Sequence, residues 1–380
     1  MKVVADNKIP FLRGALEPYA EVVYLPGKET TPEAVRDADA LITRTRTICN
    51  GALLKGSRVK VIATATIGFD HIDTAWCEAN GIVWRNAPGC NSWSVKQYIT
   101  ALLLTLARRH SLDLSRLTLG VVGVGNVGSK VADAAGILGM RVLLNDPPKE
   151  RLSVMPDLIG HPFVDLDTII RESDIITLHV PLNREGPDAT WHLFNAARIA
   201  TLRKDQILIN SSRGPVVDNA ALKAALKAGA LKAAALDVWE GEPELDRELL
   251  GLLDISTPHI AGYSADGKAN GTTAAVRTVA EVLGLPLKDW TASGVPDPPQ
   301  AKEFSIDATG KSLQEVLTEA VLHTYDISAD SAALRADPGA FERLRGDYPV
   351  RREFTSFVVS LKDGTPEMAE KLSRLGFKIK

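Results

Sequence analysis

The chain has 380 residues, of which 45% are hydrophobic and 24% charged, and its formal net charge is −3. This is the composition of a globular protein with room for about two or three domains, and it lacks the basic field that nucleic acid or an anionic membrane would require. The cysteine count of three and the lack of a signal-like or membrane-length apolar stretch predict a cytoplasmic protein with reduced thiols, without a disulfide framework or a metal site.

The first part of the chain alternates short apolar runs with helical patterns. Strands are predicted at residues 2–5, 40–43, 59–64 and 81–84, and the Thr31-Pro32 pair predicts the start of a helix over 31–37. A long, mostly apolar helix is predicted from Ser92 to His110, with Ser92 as its cap. The rhythm of strand and helix favours a largely parallel sheet covered by helices.

A second series of the same kind begins after this helix. Its strands are predicted at 117–122, 141–145, 174–179, 206–210, 233–238 and 254–256. We expect an inserted doubly wound domain at 93–256, and a discontinuous substrate-binding and catalytic domain at 1–92 and 257–285. The helical stretch at 262–285 returns the chain to this discontinuous domain.

The last part of the chain follows a proline-rich linker at 285–299. Helices are predicted at 311–323 and 366–375, a β-like pattern at 353–360 and a final strand at 376–380. The fold class is therefore α/β, with two doubly wound parallel-sheet, Rossmann-like domains and a smaller α+β domain at 290–380. Phe354, Phe357 and Val359 suggest an apolar face that needs a partner, which predicts a homodimer through this region. The alternative is that the face packs against the chain's own helices.

A glycine-rich fingerprint, Gly123-Val124-Gly125-Asn126-Val127-Gly128, follows the predicted strand at 117–122 and opens a helix. Its glycines permit a tight turn, close approach of a pyrophosphate and close packing of helix on strand, and the helix N-terminus favours negative charge. Asp146 ends the next strand, where a carboxylate suits the adenine ribose and repels the 2′-phosphate of NADP. NAD is therefore the predicted cofactor. The alternative for Asp146 is a helix cap before Pro147-Pro148.

Three residues further along the chain make a set suited to hydride transfer from a hydroxy acid. His259 would take the hydroxyl proton, Glu242 would hold its imidazole, and Arg213 would bind the substrate carboxylate through two parallel hydrogen bonds. Taken alone, each residue has a simpler explanation: Glu242 as a solvated loop acid, Arg213 as a surface arginine in a turn, and His259 as a packed histidine. Together, and behind the fingerprint, they predict a catalytic site.

These motifs resemble the D-isomer-specific 2-hydroxyacid dehydrogenases over residues 1 to about 285. The segments that carry the resemblance are Thr66–Asp73, the fingerprint, Leu178–Leu182, Asn210–Gly214, Ala235–Val238 and Thr257–Gly262. The resemblance makes His259 the acid/base, Glu242 its partner and Arg213 the substrate anchor. It also implies a set of residues around the NAD, namely Thr177, Ser211, Ser212, Asp237, Gly262 and Tyr263. Thr45 and Thr66 are implied to bind the substrate.

Further segments resemble one branch of the family, whose members act on a phosphorylated hydroxy acid and dimerise through a C-terminal domain. They are Pro88–Asn91, Asp146–Pro148, Pro181–Asn183, Asp237–Pro243, His259–Ser264 and Tyr348–Phe354. A substrate phosphate requires cationic donors apart from Arg213, and the candidates are Arg44, Arg46, Arg351 and Arg352.

Two alternatives remain open. A D-3-phosphoglycerate or D-glycerate dehydrogenase would share the chemistry and use the tail as a regulatory domain. An NAD-sensing binding protein, such as a transcriptional corepressor, would share the fold alone. The presence of Arg213, Glu242 and His259 together argues against a sensor, which needs only the NAD pocket.

Overall fold

The computed structural model describes residues 1–152 and 163–380. These residues form two compact units, one of Met1–Asn91 with Ser264–Asp297 and one of Ser92–Tyr263 with Pro298–Lys380. Within the described ranges, no helix has the length and apolar character needed to cross a membrane.

The strands in chain order are β1 (Lys2–Asp6), β2 (Glu21–Leu25), β3 (Ala40–Thr43), β4 (Val61–Thr64), β5 (Val83–Arg85), β6 (Thr118–Val122), β7 (Arg141–Asn145), β8 (Ile175–Leu178), β9 (Ile207–Asn210), β10 (Ala233–Leu236), β11 (Ile255–Ser256), β12 (Glu303–Asp307), β13 (Val358–Lys362) and β14 (Lys378–Ile379). The helices are α1 (Pro32–Val35), α2 (Gly51–Leu54), α3 (Thr74–Ala79), α4 (Ser92–His110), α5 (Asn126–Ile137), α6 (Pro147–Arg151), α7 (Leu166–Glu172), α8 (Ala196–Ile199), α9 (Asn219–Lys227), α10 (Arg247–Leu252), α11 (Ala265–Leu283), α12 (Leu313–Thr324), α13 (Ile327–Ala336), α14 (Phe341–Gly346) and α15 (Pro366–Leu375).

The first unit is built on a parallel sheet of five strands in the order β2-β1-β3-β4-β5. Its central strands β3 and β4 are buried along their whole length, as expected for a parallel sheet covered on both faces. Helix α11 packs against β4 through Val276 and Val279. Thr31 caps α1 as the sequence predicts, but strand β2 was not predicted.

The second unit contains a parallel sheet whose described strands run in the order β11-β10-β9-β8-β6-β7. Strands β7 and β8 lie on opposite sides of β6, so the direction of winding reverses at β6. In open α/β sheets, ligands bind beyond the carboxyl ends of the strands at such a reversal. The predicted fold class is confirmed, and the six predicted strands of this series are present with shifts of one or two residues at their ends.

Residues 298–380 form a three-stranded parallel sheet, β12-β13-β14, with helices α12 to α15. This region shares an apolar core with α4 and α5. Phe354, Phe357 and Val359 are 3%, 0% and 0% exposed in this core. The prediction that this face needs a second subunit is therefore wrong, because the chain's own side chains cover it.

The β-like pattern predicted at 353–360 is only partly correct. Phe354–Ser356 is a 3-10 turn and β13 begins at Val358, because the spacing of three between Phe354 and Phe357 suits a turn rather than a strand. Strand β12 and helices α13 and α14 were not predicted.

Candidate active site

The residues singled out in the second half of the sequence follow the carboxyl ends of neighbouring strands in the second unit's sheet. The fingerprint follows β6, Asp146 follows β7, Arg213 follows β9, Glu242 follows β10 and His259 follows β11. Because these strands are parallel, all of these loops emerge at one edge of the sheet. The topology therefore gathers residues that are as much as 136 positions apart in the sequence.

The glycine-rich loop has the shape that a dinucleotide requires. Gly123 has a positive φ of 87°, and a Cβ at Gly128 would lie 1.9 Å from the Gly123 carbonyl oxygen, so both positions require glycine. A Cβ at Gly125 would meet nothing within 4 Å, which leaves open space beside the backbone. Helix α5 starts there without a side-chain cap, so its first N–H groups are available to a pyrophosphate. The residues fit NAD.

Asp146 combines the two roles that the sequence left as alternatives. One carboxylate oxygen caps α6 by accepting the Lys149 N–H at 3.1 Å, and the other accepts the Val124 N–H of the glycine-rich loop at 2.8 Å. The nearby cations are engaged elsewhere, since the Lys149 ammonium donates to the Val124 carbonyl and Arg151 pairs with Asp188. The carboxylate is thus held at the loop, and the two cations described beside it, Lys149 and Arg151, already have other partners.

The loop that carries Arg213 is folded by the side chain of Asn210. The Asn210 amide accepts the Ser212 N–H and hydroxyl at 3.1 and 2.8 Å and donates to the Arg213 carbonyl at 2.9 Å. A Cβ on the next residue, Gly214, would lie 2.0 Å from the Trp239 carbonyl oxygen. Glycine at this position therefore lets the Arg213 loop lie directly against the chain that leads to Glu242.

Glu242 and His259 form a hydrogen-bonded pair. Glu242 Oε2 lies 2.8 Å from His259 Nδ1, and Glu242 Oε1 accepts the Trp239 N–H at 2.9 Å. Burial alone would raise the pKa of the Glu242 carboxyl, but the hydrogen bond and charge of His259 and the Trp239 N–H together hold that pKa below its usual value. The carboxylate therefore stays ionised and orients the imidazole, whose Nε2 remains available to a substrate.

The neighbouring acid Glu240 has a different partner. Its carboxylate lies 2.7 Å from His192 Nε2 and accepts the Asn219 N–H at 2.8 Å. Of the acids in this loop, Glu242 alone is seen to contact His259, and so the geometry distinguishes it from an ordinary loop carboxylate.

The backbone at His259 is held in the left-handed region, with φ at 58°. A non-glycine residue there costs about 1–3 kcal/mol and persists only where the surroundings impose it. Asp237, which is 2% exposed, supplies part of that constraint through its main chain and its carboxylate. Its carbonyl accepts the His259 N–H at 2.8 Å, and its carboxylate accepts the N–H groups of Ile260 and Ala261 at 2.7 and 3.0 Å.

The remaining residues proposed to surround the NAD differ in their burial and in their hydrogen-bond partners. Thr177 is fully buried in β8 and bonds His179, whose pKa burial lowers to about 3. Ser211 and Ser212 lie in the Arg213 loop, and the Ser211 hydroxyl is buried without a partner among the described residues. Gly262 and Tyr263 directly follow the His259 loop, both half-buried. Their contacts with NAD stay predictions.

The substrate-binding candidates of the first unit share one sheet edge. Arg44, Thr45 and Arg46 follow β3, and Thr66 follows the adjacent parallel strand β4. The Thr66 hydroxyl bonds Thr64 at 2.8 Å and the Gly68 carbonyl at 3.0 Å. Thr45 and Arg46 are exposed. Their roles also stay predictions.

Two arginines near the catalytic pair come from the C-terminal region. The Arg345 guanidinium lies 5.5 Å from the centre of the Tyr263 ring. Burial raises the pKa of Glu242, whereas His259 and the Trp239 N–H lower it, and the charge of Arg345 makes a smaller contribution that also lowers it. Arg345 was not predicted from the sequence, because nothing in α14 distinguishes it from a surface arginine. Arg351, proposed as a phosphate contact, is 4% exposed and donates to backbone carbonyls.

The sequence matches two family models. Residues 85–261 match the model described as "D-isomer specific 2-hydroxyacid dehydrogenase, NAD binding domain". Residues 297–376 match a "Domain of unknown function (DUF3410)". The first match covers the NAD fingerprint and the catalytic set, and the second covers the C-terminal region.

Relatives match nearly the whole chain. An erythronate-4-phosphate dehydrogenase of Bacteroides fragilis is 51% identical over 93% of this chain and 97% of its own length. Another of Proteus mirabilis is 40% identical over 99% of both chains. Among solved structures, a D-lactate dehydrogenase of Aquifex aeolicus complexed with NAD and lactic acid is 28% identical with a TM-score of 0.62, over 75% of this chain and 96% of its own.

Proposed function

The chain belongs to the D-isomer-specific 2-hydroxyacid dehydrogenase family, and we propose that within it the protein oxidises 4-phospho-D-erythronate. The product is (R)-3-hydroxy-2-oxo-4-phosphobutanoate, and the reaction is the NAD-dependent step of vitamin B6 biosynthesis. The observation that carries the proposal is the Glu242–His259 pair at 2.8 Å beside the Arg213 loop, in a chain whose full-length relatives are named for this substrate.

The chain's own residues account for the proton and for substrate binding. His259 Nε2 accepts the proton of the C2 hydroxyl, since its Nδ1 is held by Glu242. The ionised Glu242 stabilises the imidazolium that forms. Arg213 binds the substrate carboxylate and polarises the C2 oxygen. NAD, when bound on the glycine-rich loop, supplies the acceptor for the C2 hydride.

We assign binding of the substrate phosphate to arginine side chains. Arg44 and Arg46 follow β3 at the same sheet edge as Thr66, and we keep them, with Thr45, as substrate contacts. Arg345 is added because, in the described part of the chain, its guanidinium has no ion pair and it lies near Tyr263 and Glu242. Arg352 remains a candidate, whereas Arg351 is given another role below.

The proposal includes a cytoplasmic homodimer formed through residues 290–380. Cys49, Cys77 and Cys90 form no disulfide with one another, which is consistent with a reducing compartment. The edge strand β12 pairs only with β13 within the described chain, which leaves one side for a second subunit. Light scattering at micromolar concentration tests the dimer, and a monomer would remove it from the proposal.

The substrate assignment is tested by NADH formation with four acids side by side: 4-phospho-D-erythronate, D-erythronate, D-3-phosphoglycerate and D-glycerate. The proposal predicts the highest kcat/KM with 4-phospho-D-erythronate. A higher kcat/KM with D-3-phosphoglycerate or D-glycerate would transfer the function to the alternative dehydrogenases. NAD binding without turnover of any of the four would favour the sensor.

A further inference from the structure

The loop that carries the catalytic histidine, residues 257–261, is held along both sides of its backbone. On one side, Asp237 accepts the N–H groups of His259, Ile260 and Ala261 with its carbonyl and carboxylate. On the other side, the carbonyl oxygens of Ile260 and Ala261 accept hydrogen bonds from Arg351 Nη2 at 3.1 and 2.6 Å. Ile260 and Ala261 are the two residues that directly follow the left-handed residue His259.

Arg351 has surroundings that fix its guanidinium in place. The side chain is 4% exposed, and its guanidinium lies 4.5 Å from the Tyr325 ring centre and 5.6 Å from that of Tyr348. Both tyrosine hydroxyls donate to the same oxygen of Asp330, at 2.9 and 2.6 Å. An arginine held between aromatic rings keeps the planar direction of its donors, which a lysine does not.

Helix α4 joins the segment of Arg351 to the histidine loop. On one helix face, the Ser94 hydroxyl donates to Glu353 and the Gln97 amide donates to the Arg352 carbonyl. One position further, the Tyr98 hydroxyl lies 2.8 Å from the hydroxyl of Thr257, which donates to Asp237 at 2.6 Å. The C-terminal segment and the histidine loop are thus fixed to the same buried helix.

We propose that Arg351 is a positioning residue for His259, through which the C-terminal region completes the geometry of the catalytic site. The inference rests on the proposed role of His259 as the base. Asp237 holds the N–H groups of His259, Ile260 and Ala261, and Arg351 holds the carbonyls of the two residues that follow His259. Together these contacts fix the left-handed backbone at His259 and so aim its imidazole at Glu242 and the substrate. A role of this kind acts on kcat more than on binding.

The test compares Arg351→Met, which keeps the aliphatic stem, with Arg351→Lys, which keeps the charge and a donor. We expect Arg351→Met to lower kcat by about 10²-fold, as a misplaced catalytic group does, with KM for 4-phospho-D-erythronate and Kd for NAD changed by less than about threefold. Arg351→Lys should restore part of kcat. Arg335→Met is the matched control, because Arg335 also donates to a carbonyl, that of Leu253, outside the histidine loop.

A second background separates positioning from general damage. In His259→Asn, the added Arg351→Met should leave the residual kcat unchanged, since no base remains to be misplaced. An equal fold loss in both backgrounds, or a wild-type kcat for Arg351→Met, would overturn the positioning role. If Arg351→Met does not fold, Arg351→Lys is used in the same comparison. A His259→Asn variant with wild-type kcat would instead refute the proposed function.

Discussion

Glu242→Gln tests the Glu242–His259 pair at the centre of the site, because it removes the charge of the carboxylate and keeps the size of the side chain. The Glu242 carboxylate lies 2.8 Å from His259 Nδ1, with side chains 22% and 28% exposed. Without the carboxylate, the imidazolium loses the negative charge that favours it. In the oxidation direction the base must be neutral, so the rate rises with pH as the base loses its proton. We therefore expect the rising limb of the pH–kcat profile to move to lower pH.

The size of the shift follows from the type of contact. A hydrogen bond to a charged group is worth about 1.5–3 kcal/mol, and one pKa unit corresponds to about 1.4 kcal/mol. The limb should move to lower pH by the part of this stabilisation that depends on the negative charge. Because the same interaction stabilises the imidazolium that forms during the reaction, kcat at high pH should fall by about 10- to 100-fold.

The assay is NADH formation at saturating substrate from about pH 5 to pH 10, a range that brackets histidine titration. Glu240→Gln is the matched control, since Glu240 lies two residues away and pairs with His192 instead. The control should keep the wild-type profile. A Glu242→Gln profile that coincides with the wild type would refute the reasoning, as would an equal shift in Glu240→Gln.

Three further changes test the cofactor site, the phosphate contact and the C-terminal region. Asp146→Ala should weaken NAD binding and raise the ratio of NADP to NAD affinity, because it removes the carboxylate that would repel a 2′-phosphate; titration showing both affinities unchanged would contradict this. Arg345→Gln should raise KM about tenfold for 4-phospho-D-erythronate, in line with loss of a charged hydrogen bond, and leave KM for unphosphorylated D-erythronate unchanged; an equal rise for both acids would argue against a phosphate contact. Deletion of residues 298–380 should give an aggregating or destabilised protein, because the deletion exposes the apolar core that α4 and α5 share with that region; a stable truncated monomer in a thermal melt would contradict it.

The parallel sheets could be predicted because their signal is local. Strand β7 and helices α4 and α15 begin and end where the sequence predicts, and apolar runs with turn residues at their ends define them. Strand β2 was missed because it is half-exposed along most of its length and lacks the buried run of its neighbours. Helix α14 was missed because it is only six residues long. Helix α13 was missed although it is as long as α15.

The contacts that complete the site could not be predicted from local patterns. Arg351 reaches carbonyls 90 and 91 positions earlier in the chain, and nothing near it distinguishes it from Arg352. The apolar residues Phe354, Phe357 and Val359 were correctly taken as a buried face, but a sequence does not tell burial within the chain from burial against a partner. By contrast, the family motifs identified Glu242 and His259 as partners without the structure.

The central claim is that His259 is the base of an NAD-dependent dehydrogenase acting on 4-phospho-D-erythronate. It is tested most directly by kcat for NADH formation from this acid, measured for the wild type and for His259→Asn at equal NAD saturation. We expect turnover by the wild type and a loss of about 10²–10⁴-fold in kcat for the variant, with NAD affinity unchanged. A variant that retains the wild-type kcat would contradict it.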